Sequence, residues 1–185
     1  VTTNGSTADV PGFYLACALG GAIAGNNPAQ GLTNYVISGI NRVYYSTDYF
    51  SEQQSGIIAG GGIMIFEQAN ITAPVTIRHQ LTTAVGAIET RELSIVKAVD
   101  FSAKLFRERM KPLIGKYNIT SAFINSMCRP YAEGVLVALK EDEVVAPETA
   151  IQQLYQHETF SDTIVINIRF LVMYPANYIH IYLLI

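Results

Sequence analysis

Tyr178-Ile179-His180-Ile181-Tyr182-Leu183-Leu184-Ile185 closes the sequence without a single Asp, Glu, Lys or Arg. Strand alternation sends Ile179, Ile181, Leu183 and Ile185 to one face and Tyr178, His180, Tyr182 and Leu184 to the other, so both faces are apolar. A bare strand of that kind offers unpaired N–H and C=O groups to any other chain and therefore needs a defined partner. Two partners satisfy it: this molecule's own sheet, or the sheet of a neighbouring copy through strand addition. The choice between them sets both fold and function.

Just upstream, Thr163 to Tyr174 reads as a strand, with Ile164, Ile166, Ile168, Phe170 and Val172 on one face and Asn167 and Arg169 on the other. Pro175-Ala176-Asn177 breaks it, and the Pro fits a turn, a crossover or an extended arm. Towards the N-terminus, a helix is predicted to follow Asp9-Val10-Pro11 and to stop at Gly25-Asn26-Asn27-Pro28, and Val36 to Tyr45 reads as a strand or hairpin arm. Ser51 and Gln54 form a capping box for a short helix that Gly60-Gly61-Gly62 ends. Ile63 to Phe66 and Val75 to Arg78 make a predicted hairpin with a polar tip, and Glu92 to Val96 a third strand. From Asp100 the spacing is helical, with Phe101, Leu105, Met110, Leu113 and Ile114 expected inward. A second long helix runs from the N-cap Thr120 to about Leu139, kinked or broken at Pro130. The fold class expected from this order is α+β: a mixed sheet flanked by helices. The terminal residues form an extended β arm.

Charged residues make up only 15% of the 185, against about 25% in ordinary soluble domains, which points to surface hidden in an assembly. The net charge of −3 comes with no basic cluster, which argues against nucleic acid as a partner. The apolar run Phe13 to Ala24 is too short and too rich in glycine to span a membrane, which takes about 20 residues, and it lacks the basic flank of a signal peptide. Cys17 and Cys128 stand far apart in apolar surroundings and read as buried free thiols. The opening Val1-Thr2-Thr3-Asn4-Gly5-Ser6-Thr7 reads as a linker cut from something longer.

No chemistry assembles from the motifs. Gly20-Gly21-Ala22-Ile23-Ala24-Gly25 has Ala where a dinucleotide fingerprint needs Gly, and no Gly-Lys-Ser or Gly-Lys-Thr is present for a phosphate loop. His79, His157 and His180 are scattered beyond metal-ligand spacing, and neither cysteine has a partner for a catalytic pair. The carboxylates interleave with Lys and Arg as on solvated helix faces. The expectation is a non-enzyme without cofactor or metal; the rival is a small α/β enzyme or ligand-binding domain with an internal last strand.

Four segments together resemble the contractile tail sheath family. They are Val10-Pro11-Gly12-Phe13-Tyr14-Leu15-Ala16 with Gly31-Leu32-Thr33-Asn34, and Phe50-Ser51-Glu52-Gln53-Gln54 running into Gly61-Gly62-Ile63-Met64-Ile65-Phe66-Glu67. The others are Val75-Thr76-Ile77-Arg78-His79-Gln80-Leu81-Thr82-Thr83 and Glu92-Leu93-Ser94-Ile95-Val96-Lys97-Ala98-Val99-Asp100, the latter matching a strand that enters a long helix. The sequence departs from common members in having no Trp. The resemblance implies residues 10–174 as a conserved inner-layer domain after a linker or truncated region at 1–9, and residues 175–185 as an arm completing a neighbour's sheet. Within it, Tyr178, Ile179, His180, Ile181, Tyr182, Leu183, Leu184 and Ile185 would be the donated strand and Pro175, Ala176 and Asn177 its hinge. Thr163 to Tyr174 with Ile151 to Tyr155 would receive it, and Arg129, Glu133 and Lys140 would face a tail tube. The implied partners are further copies in a helical homo-polymer, a tube protein, a baseplate and a tail terminator, all in a virion tail assembled in the host cytoplasm. A non-contractile tube or capsid subunit is the other polymer this sequence fits.

Overall fold

A computed structural model describes residues 2–3, 6–7, 9–43, 50–70, 72–177 and 179–182. The chain forms two compact units, Val1–Val96 with Pro175–Ile185, and Lys97–Tyr174.

In the first unit, β1 (Thr2–Thr3) pairs antiparallel with β2 (Ser6–Thr7). Helix α1 (Phe13–Gly25) follows Pro11 as expected, and it ends where Asn26 takes extended backbone and its side-chain amide donates to the Ala22 carbonyl at 2.7 Å. Leu15, Ala18, Leu19, Ala22 and Ile23 pack on a core of Leu32, Ile37 and Ile77, yet no residue of α1 is fully buried. Cys17 lies on its exposed side, which corrects the expectation of a buried thiol. The strand expected from Val36 is reduced to one bridge with Thr76, because Gly39 adopts φ 83° in the turn that follows; Tyr44 and Tyr45 lie outside the described residues.

Helix α2 (Glu52–Gly60) starts on the complete Ser51–Gln54 capping box. The glycines after it lead into β3 (Phe66–Glu67), which pairs antiparallel with β4 (Thr76–Ile77). Their polar tip is an Asx turn, with the Asn70 carbonyl oxygen accepting from the Thr72 and Ala73 amides at 3.0 and 2.9 Å. The hairpin is shorter than the sequence suggests, and Ile63 is exposed. The third strand expected at Glu92 to Val96 is helical instead. Helix α3 (Ile88–Arg91) and helix α4 (Leu93–Met110) flank Glu92, which alone stays extended and bridges Leu81. Burial at Ile95, Ala98 and Ser102 has a helical period, so packing overrides the β-branched run.

Lys97–Tyr174 carries the rest of α4, a 3-10 turn at Lys111–Leu113, and Gly115 at φ 74°. Of the residues expected inward here, Leu113 is buried and Leu105 and Met110 are half-buried, whereas Phe101 and Ile114 are exposed. The Thr120 hydroxyl caps α5 (Ser121–Phe123) by accepting from the Phe123 amide at 3.1 Å. A π-helical turn, Ile124–Cys128, then leads directly into α6 (Arg129–Glu141). Pro130 explains the position of the break: it has no N–H for the Ser126 carbonyl, and a wider turn avoids the clash of its ring with that carbonyl. Ile124, Cys128, Ala132, Val135, Leu136, Leu139, Val144 and Val145 are the buried residues of this stretch. Strands β5 (Ala150–Gln156) and β6 (Ile164–Arg169) close the unit as an antiparallel pair.

The α+β class is therefore observed, but the described strands form three separate antiparallel pairs rather than one mixed sheet. Each pair joins neighbouring strands through a short connection, whereas a parallel element would need a crossover.

The two thiols differ in reach. Burial pushes the Cys128 thiol above its ordinary pKa, and Cys17 is open to solvent. Alkylation of the native chain at pH 8 is expected to modify Cys17 at least tenfold faster than Cys128, with equal rates in urea. Equal rates in the native chain, read by peptide mass spectrometry, would contradict this packing.

Candidate assembly site

The β5–β6 pair is the larger of the described sheets. Ile151 lies opposite Ile168 and Leu154 opposite Ile166, although Ile151 and Leu154 are three residues apart; a bulge between Ile151 and Gln153 supplies the extra residue that returns both to one face. Ile164, Ile166 and Ile168 are half-buried while Asn167 and Arg169 are exposed, as the alternation predicts. On the outer face Asn167 donates its amide to Gln153 at 3.1 Å. Buried Thr149 ties the base, with the Leu171 amide donating to its hydroxyl at 3.2 Å. At the tip, His157 Nδ1 accepts from the Thr159 and Phe160 amides at 3.1 and 3.2 Å. His157 is thus a turn former. No other described strand pairs with β5 or β6, and an isolated two-stranded sheet is only marginally stable in water.

The root of the terminal segment belongs to the first unit. Gly31 leaves room for Pro175, whose Cβ lies 3.3 Å from where a Gly31 Cβ would stand. The Asn177 amide N–H donates to the Pro175 carbonyl at 3.0 Å, a tight turn, and the Thr33 hydroxyl donates to Asn177 Oδ1 at 3.2 Å. Asn177 Nδ2 lies 3.3 Å from His79 Nε2, and the same ring nitrogen lies 2.8 Å from Glu92 Oε1. Glu92 is completely buried, and its second oxygen has no hydrogen-bond partner among the described residues. Beside this group, buried Gln80 accepts from the Leu32 amide and donates to Ser94, both at 2.9 Å. Arg78 points away and pairs with Glu52 and Glu67; its guanidinium holds the Glu52 carboxyl below the usual range.

Beyond Asn177 the chain leaves protein contact. Ile179, Ile181 and Tyr182 are 81%, 79% and 84% exposed, and residues 179–182 are not in a strand. Tyr178 and Leu183 to Ile185 lie outside the described residues. The sequence did not disclose the Thr33, His79, Glu92 and Asn177 group, because the members are separated by 13 to 144 positions and share no motif.

Arg129, Glu133 and Lys140 all lie on α6. At about 100° per residue they fall within about 40° of each other, on a flank beside the buried stripe of Ala132, Val135, Leu136 and Leu139. Arg129 and Glu133 pair at 3.8 Å across one turn. Among the described residues no group of three or more His, Cys, Asp or Glu side chains gathers to hold a metal, and no helix is long and apolar enough to cross a membrane.

No protein family and no curated protein matches the sequence. Solved structures match in fold. A chain of the anti-feeding prophage (AFP) helical sheath in the contracted state, seen by cryo-EM, superposes with a TM-score of 0.72 at 13% identity over 92% of this chain and 49% of its own. A chain of the 6-fold symmetrised AFP baseplate superposes with a TM-score of 0.71, also at 13% identity, over 92% of this chain and 48% of its own. The present chain thus spans about half the length of the solved chains it matches and shares their fold.

Proposed function

We propose that this chain, folded like half of a contractile-sheath subunit, is a sheath-like structural protein that polymerises by giving residues 178–185 to the β5–β6 pair of another copy. One observation carries the strand donation: an apolar segment stands exposed at Ile179, Ile181 and Tyr182 on a chain whose β5–β6 pair has no third described strand. An added strand would extend that pair to three, the number at which a sheet with one apolar face becomes stable. Eight residues would add roughly five to eight backbone hydrogen bonds of about 1 kcal/mol net each, besides the burial of isoleucine side chains.

The finer parts of the reading follow from the same arrangement. Residues 175–177 are the hinge between domain and arm, and the flank of Arg129, Glu133 and Lys140 is the contact with a tail tube. The polymer sits in a virion tail and ends on a baseplate and a terminator. Contraction, driving tube ejection, replaces one set of contacts between copies with another while the donated strands stay bound, so no nucleotide or cofactor takes part.

A photo-reactive amino acid at position 181 tests strand donation. In an assembled mixture of isotopically heavy and light chains, cross-links are expected between one copy's position 181 and residues 150–156 or 164–169 of another. Cross-links confined to chains of one isotope would overturn the reading.

A further inference from the structure

His79 Nε2 faces two partners at once, Glu92 Oε1 at 2.8 Å on its buried side and Asn177 Nδ2 at 3.3 Å on the side of the terminal segment. An unprotonated ring nitrogen accepts one proton, and a protonated one donates it, so a single Nε2 cannot accept from Asn177 while donating to a carboxylate. Glu92 is fully buried, and its other oxygen has no described partner. Its carboxylate therefore competes with Asn177 for the same imidazole. We propose that Thr33, His79, Glu92 and Asn177 form a latch on residues 175–177, with two arrangements that differ in which side of the imidazole is served.

In the closed arrangement Nε2 accepts from Asn177, the Thr33 hydroxyl holds the Asn177 oxygen, and Pro175 is seated over Gly31, fixing the direction in which the chain leaves the domain. In the open arrangement Nε2–H donates to Glu92, Asn177 keeps only Thr33, and residues 175–177 are free to turn. Asn177 and His79 act here as positioning residues. The bonds that grip the segment are few and neutral, each of modest net strength, so opening is accessible without disturbing the buried core around Gln80. The latch rests on the strand-donation reading for its purpose, since a hinge that can be locked would present the arm at one angle before assembly and release it afterwards.

The test is hydrogen–deuterium exchange on the soluble, unassembled full-length chain. Asn177→Ala is expected to speed exchange in residues 175–182 about fivefold to tenfold and to leave peptides from α6 unchanged, because roughly one hydrogen bond's worth of protection is lost. Thr33→Val, which keeps the shape and removes the hydroxyl, is expected to give a smaller increase in the same peptides. Glu92→Leu removes the competitor and is expected to slow exchange there; should that buried change prevent folding, Glu92→Gln with its neutral side chain serves instead. Unchanged exchange in both Asn177→Ala and Thr33→Val would overturn the latch. Because the measurement needs no polymer, a chain that fails to assemble yet shows these changes would refute strand donation and leave the latch standing.

Discussion

A chain truncated after Asn177 is expected to melt within about 2 °C of the full chain and to form no polymer. Residues 179–182 make no hydrogen bond to another described residue, and Ile179, Ile181 and Tyr182 are about four-fifths exposed, so the isolated domain loses little when they are removed. The polymer loses everything the strand contributes. At roughly 5–8 kcal/mol for the backbone bonds alone, the association constant at each contact falls by roughly four to six orders of magnitude. Sedimentation and negative-stain imaging read the assembly, and calorimetry reads the fold. A fall in melting temperature above about 10 °C would show that the segment belongs to its own molecule's sheet, and the assembly reading would fail with it.

The second large effect is expected at Gly62. Its φ is +78°, a backbone shape that costs a side-chain-bearing residue about 1–2 kcal/mol, and a Cβ there would lie 2.6 Å from the Thr82 carbonyl oxygen and 2.9 Å from Thr83 Cα. Both obstacles are backbone, so neither can rotate away. Gly62→Ala is expected to cost about 3 kcal/mol or more, which for a chain of this size is a fall of roughly 6–12 °C in melting temperature. Gly20 provides the contrast: it lies within α1 with nothing inside 4 Å of its would-be Cβ, so Gly20→Ala is expected to stabilise by about 0.5–1 kcal/mol. Equal effects at the two positions would contradict the packing of the loop after α2 against Thr82 and Thr83.

Local chemistry made the helix starts readable. Ser51 with Gln54 and Thr120 alone satisfy backbone amides that any helix must satisfy, and both caps stand where their residue types place them. The β5–β6 pair was readable from alternation in Ile164 to Arg169. Alternation failed at Glu92 to Val96, where Ile95 and Val96 favour a strand but burial at Ile95 and Ala98 requires a helix; period and propensity disagree over so short a run, and tertiary packing decides. The α4 inward face was misjudged at Phe101 and Ile114 because an apolar residue in a chain with few charges need not be a core residue. The group around His79 was beyond reach altogether. A pair separated by 98 positions, His79 and Asn177, is brought together only by the completed fold.

The π-helical turn at Ile124–Cys128 makes this stretch sensitive to count more than to content. It holds one residue more than the α turn it replaces, and one residue turns whatever follows by about 100°. Dropping a residue there would keep a helix but swing Ala132, Val135, Leu136 and Leu139 off the interior and move Arg129, Glu133 and Lys140 with them. Asn125 and Ser126 are exposed, so their letters can change while their number cannot.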